Sequence, residues 1–170
     1  MKTTEDTAFL NLDEAFESPL DHLSDTDGPP PNVEEMLTAL DSGDSEQRIL
    51  AARGFCEIAD PRAIAPLIRL LVDPCPLVRV SAAYGLGRNT SSEAIAALVR
   101  RYDIEWNGYA RKGIVWALGT CQNPETVDPL LKALKTDIAA VRLWAASSLG
   151  QMGEADYESA VKAVPPLIIA

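Results

Sequence analysis

The residue types that could carry covalent chemistry are few and poorly spaced for it. His22 is the single histidine and stands among acidic residues near the N-terminus. A Ser–His–Asp or Cys–His nucleophile would have to recruit it, because an imidazole is the usual base that activates a hydroxyl or thiol near neutral pH. Nothing in the local sequence positions it for that role. Cys56, Cys75 and Cys121 lack any Cys-x-x-Cys spacing, so they do not resemble a zinc site, which gathers Cys and His at close intervals. Iron–sulfur ligation by the three is the one metal reading left to them, and the spacing does not favour it. The paired carboxylates Asp25 and Asp27 lie where nothing would shift their pKa. Gly85-x-Gly87 reads as a packing and capping pair rather than a phosphate loop. The expectation is a chain with no catalytic residue and no metal site of its own.

Recognition by charge and aromatic surface is better represented. Arg69, Arg100 and Lys132 recur at one register, with Arg62, Arg101 and Lys135 nearby. A cationic row of this kind suits an acidic protein or the carboxylates of a small ligand. The plainer reading is a set of solvated charges partly offset by Glu93, Glu125 and Asp128. Trp106 and Tyr109 fall in an irregular connection over 102–112. They resemble interface anchors, or else they cover a helix end. Trp116 and Trp144 occupy other registers and read as packing residues. Cys56 and Cys121 read as small buried hydrophobes at helix ends, and Cys75 as a turn residue.

These residues are positioned by an internal repeat. Four segments align: they begin at Arg48, Arg79, Arg111 and Arg142, at intervals of 31 or 32 residues. Small residues follow three and four places later (Ala51-Ala52, Ala82-Ala83, Ala145-Ala146), and a large apolar residue at the seventh (Phe55, Leu86, Leu118, Leu149). That spacing makes one helical stripe whose small members admit a second backbone. Gly87, Gly119 and Gly150 share the next register, where a glycine could take the left-handed conformation that ends a helix. A second helix opens with proline in its first turn, as in Asp60-Pro61 and Asn123-Pro124. It buries Ile64, Leu67 and Leu71 or their counterparts. Arg69, Arg100 and Lys132 each stand 21 residues after their starting arginine, so stacked second helices would align them as a ladder.

The expected fold is all-α: a right-handed α-solenoid of stacked helix pairs over 32–170. A capping half-repeat occupies 32–46, opened by the Asn32-Val-Glu-Glu capping signature. Repeats start near 47, 78, 110 and 141, the last one incomplete, since Val164-Pro-Pro-Leu-Ile restates the Ile64-Ala-Pro-Leu-Ile motif close to Ala170. Residues 1–31 read as an acidic, mostly disordered arm. Its one apolar stripe, Phe9-Leu-x-Leu-x-x-x-Phe16, could form a short docking helix, and the arm could fold onto the ladder and shield it.

Residues 1–46 hold 13 acidic side chains and one basic one; residues 47–170 hold 12 and 14. The body is therefore near neutral, which argues against nucleic acid, whose binding is dominated by phosphate neutralisation. No apolar run reaches the roughly 18 residues of a membrane span, and no signal peptide is recognisable. With an odd number of unpaired cysteines, a reducing compartment follows: cytoplasm or plastid stroma.

The motif Arg-x-x-Ala-Ala-x-x-Leu-Gly, followed by Asp60-Pro-x-Ala-Ile-x-Pro-Leu-Ile, resembles the HEAT repeat. Its period is most similar to the short HEAT-like subtype named for phycobilisome lyases. The stretch from Trp106 to Gly119 resembles cyanobacterial and plastid members of that group. The resemblance implies a non-enzymatic scaffold or adaptor in a cyanobacterial or plastid assembly pathway. Its partner would be another protein: a phycobiliprotein, a second HEAT-like subunit, or a component of photosynthetic or iron–sulfur assembly. Alternatively it implies a phycobilin lyase subunit that acts by positioning, with a bilin as the one possible ligand and no other cofactor. In HEAT arrays the second helices line the concave surface, so the ladder would face a partner. Aspartate–arginine pairs brace adjacent repeats in this class, which implies a structural role for Arg79 near Asp73 and for Arg142 near Asp137.

Overall fold

The computed structural model describes residues 32–155. The acidic arm with His22 and the Phe9–Phe16 stripe, and the segment holding Val164-Pro-Pro, lie outside them. The described residues form eight α-helices and no strand. They are α1 (Val33–Ala39), α2 (Ser45–Glu57), α3 (Ile64–Leu70), α4 (Pro76–Arg88), α5 (Ser92–Ile104), α6 (Gly108–Thr120), α7 (Val127–Thr136) and α8 (Ala139–Ala155). Short 3₁₀ turns at Pro61–Ala63 and Pro124–Thr126 lead into α3 and α7.

The boundaries follow from local chemistry. Asn32, Asp44, Ser91 and Asn107 each accept an otherwise unpaired N–H of the helix they open. Asp60 and Asn123 do the same for the 3₁₀ turns, ahead of Pro61 and Pro124. A side-chain cap of this type stabilises a helix by roughly 0.5–2 kcal/mol. Pro76 fills the first position of α4, where a missing N–H costs nothing.

Packing makes the repeat a solenoid. α2 lies against α4, α4 against α6, and α6 against α8, while the second helices α3 and α5 meet in the adjoining layer. One apolar core runs from Met36 in α1 to Met152 in α8. Phe55, Leu86, Leu118 and Leu149, the large residues expected at the seventh place, are all buried within it. No two-helix unit could hide this stripe by itself, so burial drives stacking.

The glycine register has a different purpose from the one expected. No described glycine has a positive φ, so Gly87 and Gly119 are not left-handed caps. Both lie inside their helices, where successive first helices come into close contact. A Cβ on Gly87 would stand 3.1 Å from the Ala117 backbone, and one on Gly119 would run into Ser148. The helix ends are managed one turn later. Asn89 donates its amide to the carbonyls of Phe55 and Gly85, and Gln122 takes the left-handed conformation at φ 46°.

The starting arginines brace the stack, with partners other than those the sequence suggests. Arg48 forks onto Asp73 at 2.8 and 3.2 Å, Arg79 onto Glu105 at 2.8 and 2.9 Å, and Arg111 onto Asp137 at 2.8 to 3.1 Å. The carboxylate therefore comes from the loop after the arginine, not the loop before it. To the earlier loop each arginine donates only at backbone oxygen: Arg48 at Ser42, Arg79 at Asp73 and Pro74, Arg111 at Glu105 and Trp106, Arg142 at Asp137. One guanidinium thus ties two successive loops. Sequence proximity misled here because Asp73 and Arg79 do meet, through a carbonyl rather than a carboxylate.

Candidate functional site

The ladder residues sit on the second helices as expected, but most of their charge is answered from within the chain. Arg69 reaches Asp41 at 2.9 Å, and Lys132 reaches Asp103 at 2.7 Å. Both carboxylates belong to the preceding repeat. Arg62 holds Asp60 and Glu34, whose acceptors raise its pKa. Arg101 turns inward, 2.6 Å from the fully buried Glu105 carboxylate. The offset expected from Glu93, Glu125 and Asp128 is supplied instead across the repeat boundary.

Arg100 is different. The repeat position that holds Asp41 for Arg69 holds Val72 for Arg100, and Leu71 stands where Lys132 finds Asp103. Among the described residues Arg100 therefore has no carboxylate partner. Its guanidinium edges an open cavity of about 430 Å³ between α3 and α5, lined also by Ile68, Ser92, Glu93 and Ala96. Lys135 is likewise exposed and without a carboxylate among the described residues.

The second candidate, the connection before α6, is rigid in its backbone and open at its surface. Trp106 is 75% exposed and Ile104, two residues before it, 70%. Beneath them the loop is fastened at several atoms. Glu105 accepts from Arg79, Arg101 and the Asn107 N–H. Arg111 donates to the Trp106 carbonyl at 3.0 Å, and Asn107 caps α6 through the N–H groups of Tyr109 and Ala110. The Arg79 guanidinium lies 6.0 Å from the Trp106 ring centre, a cation–π distance. Ile138, half-exposed in the next loop, packs onto Gly108. Tyr109 lies at the outer margin, where burial raises its phenol pKa and the charge of Arg53 opposes the rise.

The perturbed carboxylates lie in the loops that brace the stack. Burial alone would raise the Glu105 pKa, but donors from Arg79, Asn107 and Arg101 outweigh it and leave the carboxyl below its ordinary value. Asp137 is lowered in the same way, burial being overcome by Arg111, the Ile138 N–H and Tyr102. Tyr102 is raised in turn, by burial and by donating to Asp137 at 2.9 Å. These shifts belong to braces, so perturbed pKa here does not indicate catalysis.

The remaining candidates are absorbed by packing. Trp116 sits edge-on to Tyr84 at 4.6 Å, and the Lys112 ammonium lies 5.3 Å over Trp144. Burial lowers the Lys112 pKa. All three cysteines are free and half-buried, Cys75 as much as the others. Burial pushes the Cys56 thiol up to about 12 and also raises Cys121, so neither is a poised thiolate. Among the described residues no three His, Cys, Asp or Glu side chains gather as metal ligands would. No described helix is long and apolar enough to cross a membrane.

Compared with known families, the chain matches HEAT repeats over residues 33–116 and again over 103–168. It is a HEAT-repeat protein. The match spans most of the sequence and agrees with the stacked helix pairs. Among curated proteins none matches the chain. Membership implies protein binding in general terms, since HEAT arrays present extended surfaces to other proteins, while the choice of partner resides in the surface residues.

Two features of this HEAT-repeat protein could not be anticipated from residue types. Pairing of Arg69 with Asp41 spans 28 residues and appears only when the repeats are stacked. The Arg79–Glu105–Arg101 cluster needed recognition that Glu105 takes the place of Asp73 and Asp137. A signal existed: Ser42, Asp73 and Glu105 each stand six residues before a starting arginine, and Asp137 stands five before Arg142.

Proposed function

We propose that this HEAT-repeat protein is a non-enzymatic scaffold that grips another protein at the edge formed by Ile104, Trp106 and Ile138. Arg100 and Lys135 supply unanswered cations beside it. The observation that carries the reading is Trp106: an indole 75% exposed on a loop whose backbone is held by Arg111 and Glu105. An aromatic fixed in this way binds without a large entropic penalty, since its backbone is ordered beforehand. The ladder contributes through Arg100 and Lys135, because Arg62, Arg69, Arg101 and Lys132 already hold carboxylates of the chain. Tyr109 borders the surface.

Capture of partners from the source cell tests this directly. The native chain should retain a protein that Trp106→Ala loses at least tenfold in affinity, roughly 1.4 kcal/mol or more, with an unchanged melting temperature. Equal capture by both would remove the surface from consideration. A cyanobacterial or plastid assembly pathway, or one building iron–sulfur clusters, is the setting suggested by the resemblance of residues 106–119.

The lyase alternative has one supporting feature, Arg100 beside the cavity, which suits the propionate of a bilin. Adding phycocyanobilin should then shift its absorbance, and Arg100→Glu should abolish the shift. An unaltered spectrum eliminates this alternative.

A further inference from the structure

We propose that residues 9–16 of this chain act as an internal ligand for the Ile104–Trp106–Arg100 surface, which a partner must displace to bind. This rests on the reading of that surface as a binding site. The segment Phe9-Leu-Asn-Leu-Asp-Glu-Ala-Phe16 combines apolar residues with two adjacent carboxylates. The surface offers the complement. Ile104 and Trp106 are exposed and apolar. Arg100 lies four residues before Ile104 in α5, hence on the same helical face, and its charge is unanswered among the described residues.

The tether has suitable length. Fifteen residues, 17–31, separate the segment from Asn32. Asn32 opens α1 beside the Arg62 rung, which Glu34 joins at 2.7 Å. Packed helices stand about 8–10 Å apart, and Ile104 ends the 13-residue α5 at the opposite end of the layer, about 20 Å further along the axis, so the separation is about 25–30 Å. Fifteen residues reach at most about 50 Å, more than this separation. The segment is therefore held near the surface at an effective concentration in the millimolar range.

The other apolar opening offers the arm no cation. A groove between α1 and α2, lined by Met36, Ala39, Leu50 and Ala51, lies closer to the arm. Its rim carries Glu35, with Glu46 exposed beside it. Residues 1–31 hold eight acidic side chains against Lys2, so that rim repels the arm, while the α5 surface offers it the Arg100 cation beside Glu93.

A competition experiment on the full chain decides the matter. The probe is a fluorescein-labelled synthetic peptide of residues 8–17, and binding is followed by anisotropy. The internal copy is disabled by Phe9→Ser, Leu12→Ser and Phe16→Ser together. The disabled chain should bind the probe about tenfold more tightly than the native chain, as expected when a millimolar internal competitor with a dissociation constant near a hundred micromolar is removed. Adding Trp106→Ala or Arg100→Glu to the disabled chain should abolish binding. Equal affinity for native and disabled chains overturns the proposal, as does absence of probe binding. Binding that survives Trp106→Ala but is lost in Leu50→Asp assigns the arm to the α1–α2 groove and overturns it too. A concentration-dependent dimer that disappears in the disabled chain would make a second copy the occupant, with the same consequence. Partner capture with Trp106→Ala is read separately, so failure of this inference leaves the scaffold reading intact, and the reverse also holds.

Discussion

The loops at Asp73 and Glu105 perform the same mechanical task and present different surfaces. Each carboxylate takes the arginine of the first helix before it, accepts an N–H two residues on, and lends a carbonyl to the next arginine. After Asp73 comes Pro74, a turn residue. After Glu105 comes Trp106, largely in solvent. Glu105 also has a longer side chain and holds a second arginine, Arg101, at 2.6 Å. The brace constrains backbone and leaves the next side chain free to vary, so a binding residue occupies that position without disturbing the stack.

The comparison breaks most visibly if the braces are cut. Glu105→Ala leaves Arg79, 3% exposed, and Arg101 without their anion. It should cost about 3–5 kcal/mol in denaturant unfolding, the range for removing one partner of a buried pair. Asp73→Ala should cost less, about 2 kcal/mol, because one arginine instead of two is stranded and the Arg48–Asp73 pair is less deeply buried. Equal losses would show that the second arginine adds nothing.

Next in size is the glycine register. Gly119→Ala drives a Cβ into Ser148 and should destabilise by about 1–3 kcal/mol. Gly150 occupies the same register with nothing within 4 Å among the described residues. There the same substitution should stabilise by about 0.5–1 kcal/mol through helix propensity. Thermal melts of the two variants should therefore move in opposite directions.

Acid titration sharpens the difference between brace and ladder. Glu105 and Asp137 have folded pKa values below their ordinary 4.5 and 3.8, so between folded and unfolded pKa the unfolded chain binds more protons. Their contribution is fully present above about pH 5 and declines as pH falls through those values. Asp137→Asn should flatten the acid limb of a stability–pH curve and leave the region above pH 6 parallel to wild type.

The smallest effects belong to the surface. The Lys132–Asp103 pair is about half-exposed on both sides, and Lys132→Ala should change stability by less than about 0.5 kcal/mol. Trp106→Ala should be similarly mild for folding while weakening partner capture. A large stability loss there would make Trp106 a structural cover over Arg79 instead of an anchor.

Much of the architecture was legible in the chain as written. The recurrence of Arg48, Arg79, Arg111 and Arg142 specified the helix pairs, and Asn32, Asp60 and Asn123 marked where elements begin, because caps and prolines act within one turn. The site was legible only in part. Trp106 could be singled out as an aromatic in an irregular loop, but its exposure could not. Arg100 looked identical to Arg69 and Lys132 until stacking brought Asp41 and Asp103 to its neighbours.

The sequence alone determined that these residues form helices, where they start, and which stripe must be covered, since those depend on contacts within a few residues and on the cost of exposed apolar surface. Tertiary structure decided which arginine meets which carboxylate, which glycines are close contacts rather than caps, and which cation remains unpaired. Those outcomes depend on distances between residues 25 to 35 positions apart, and such distances exist only once the repeats are stacked.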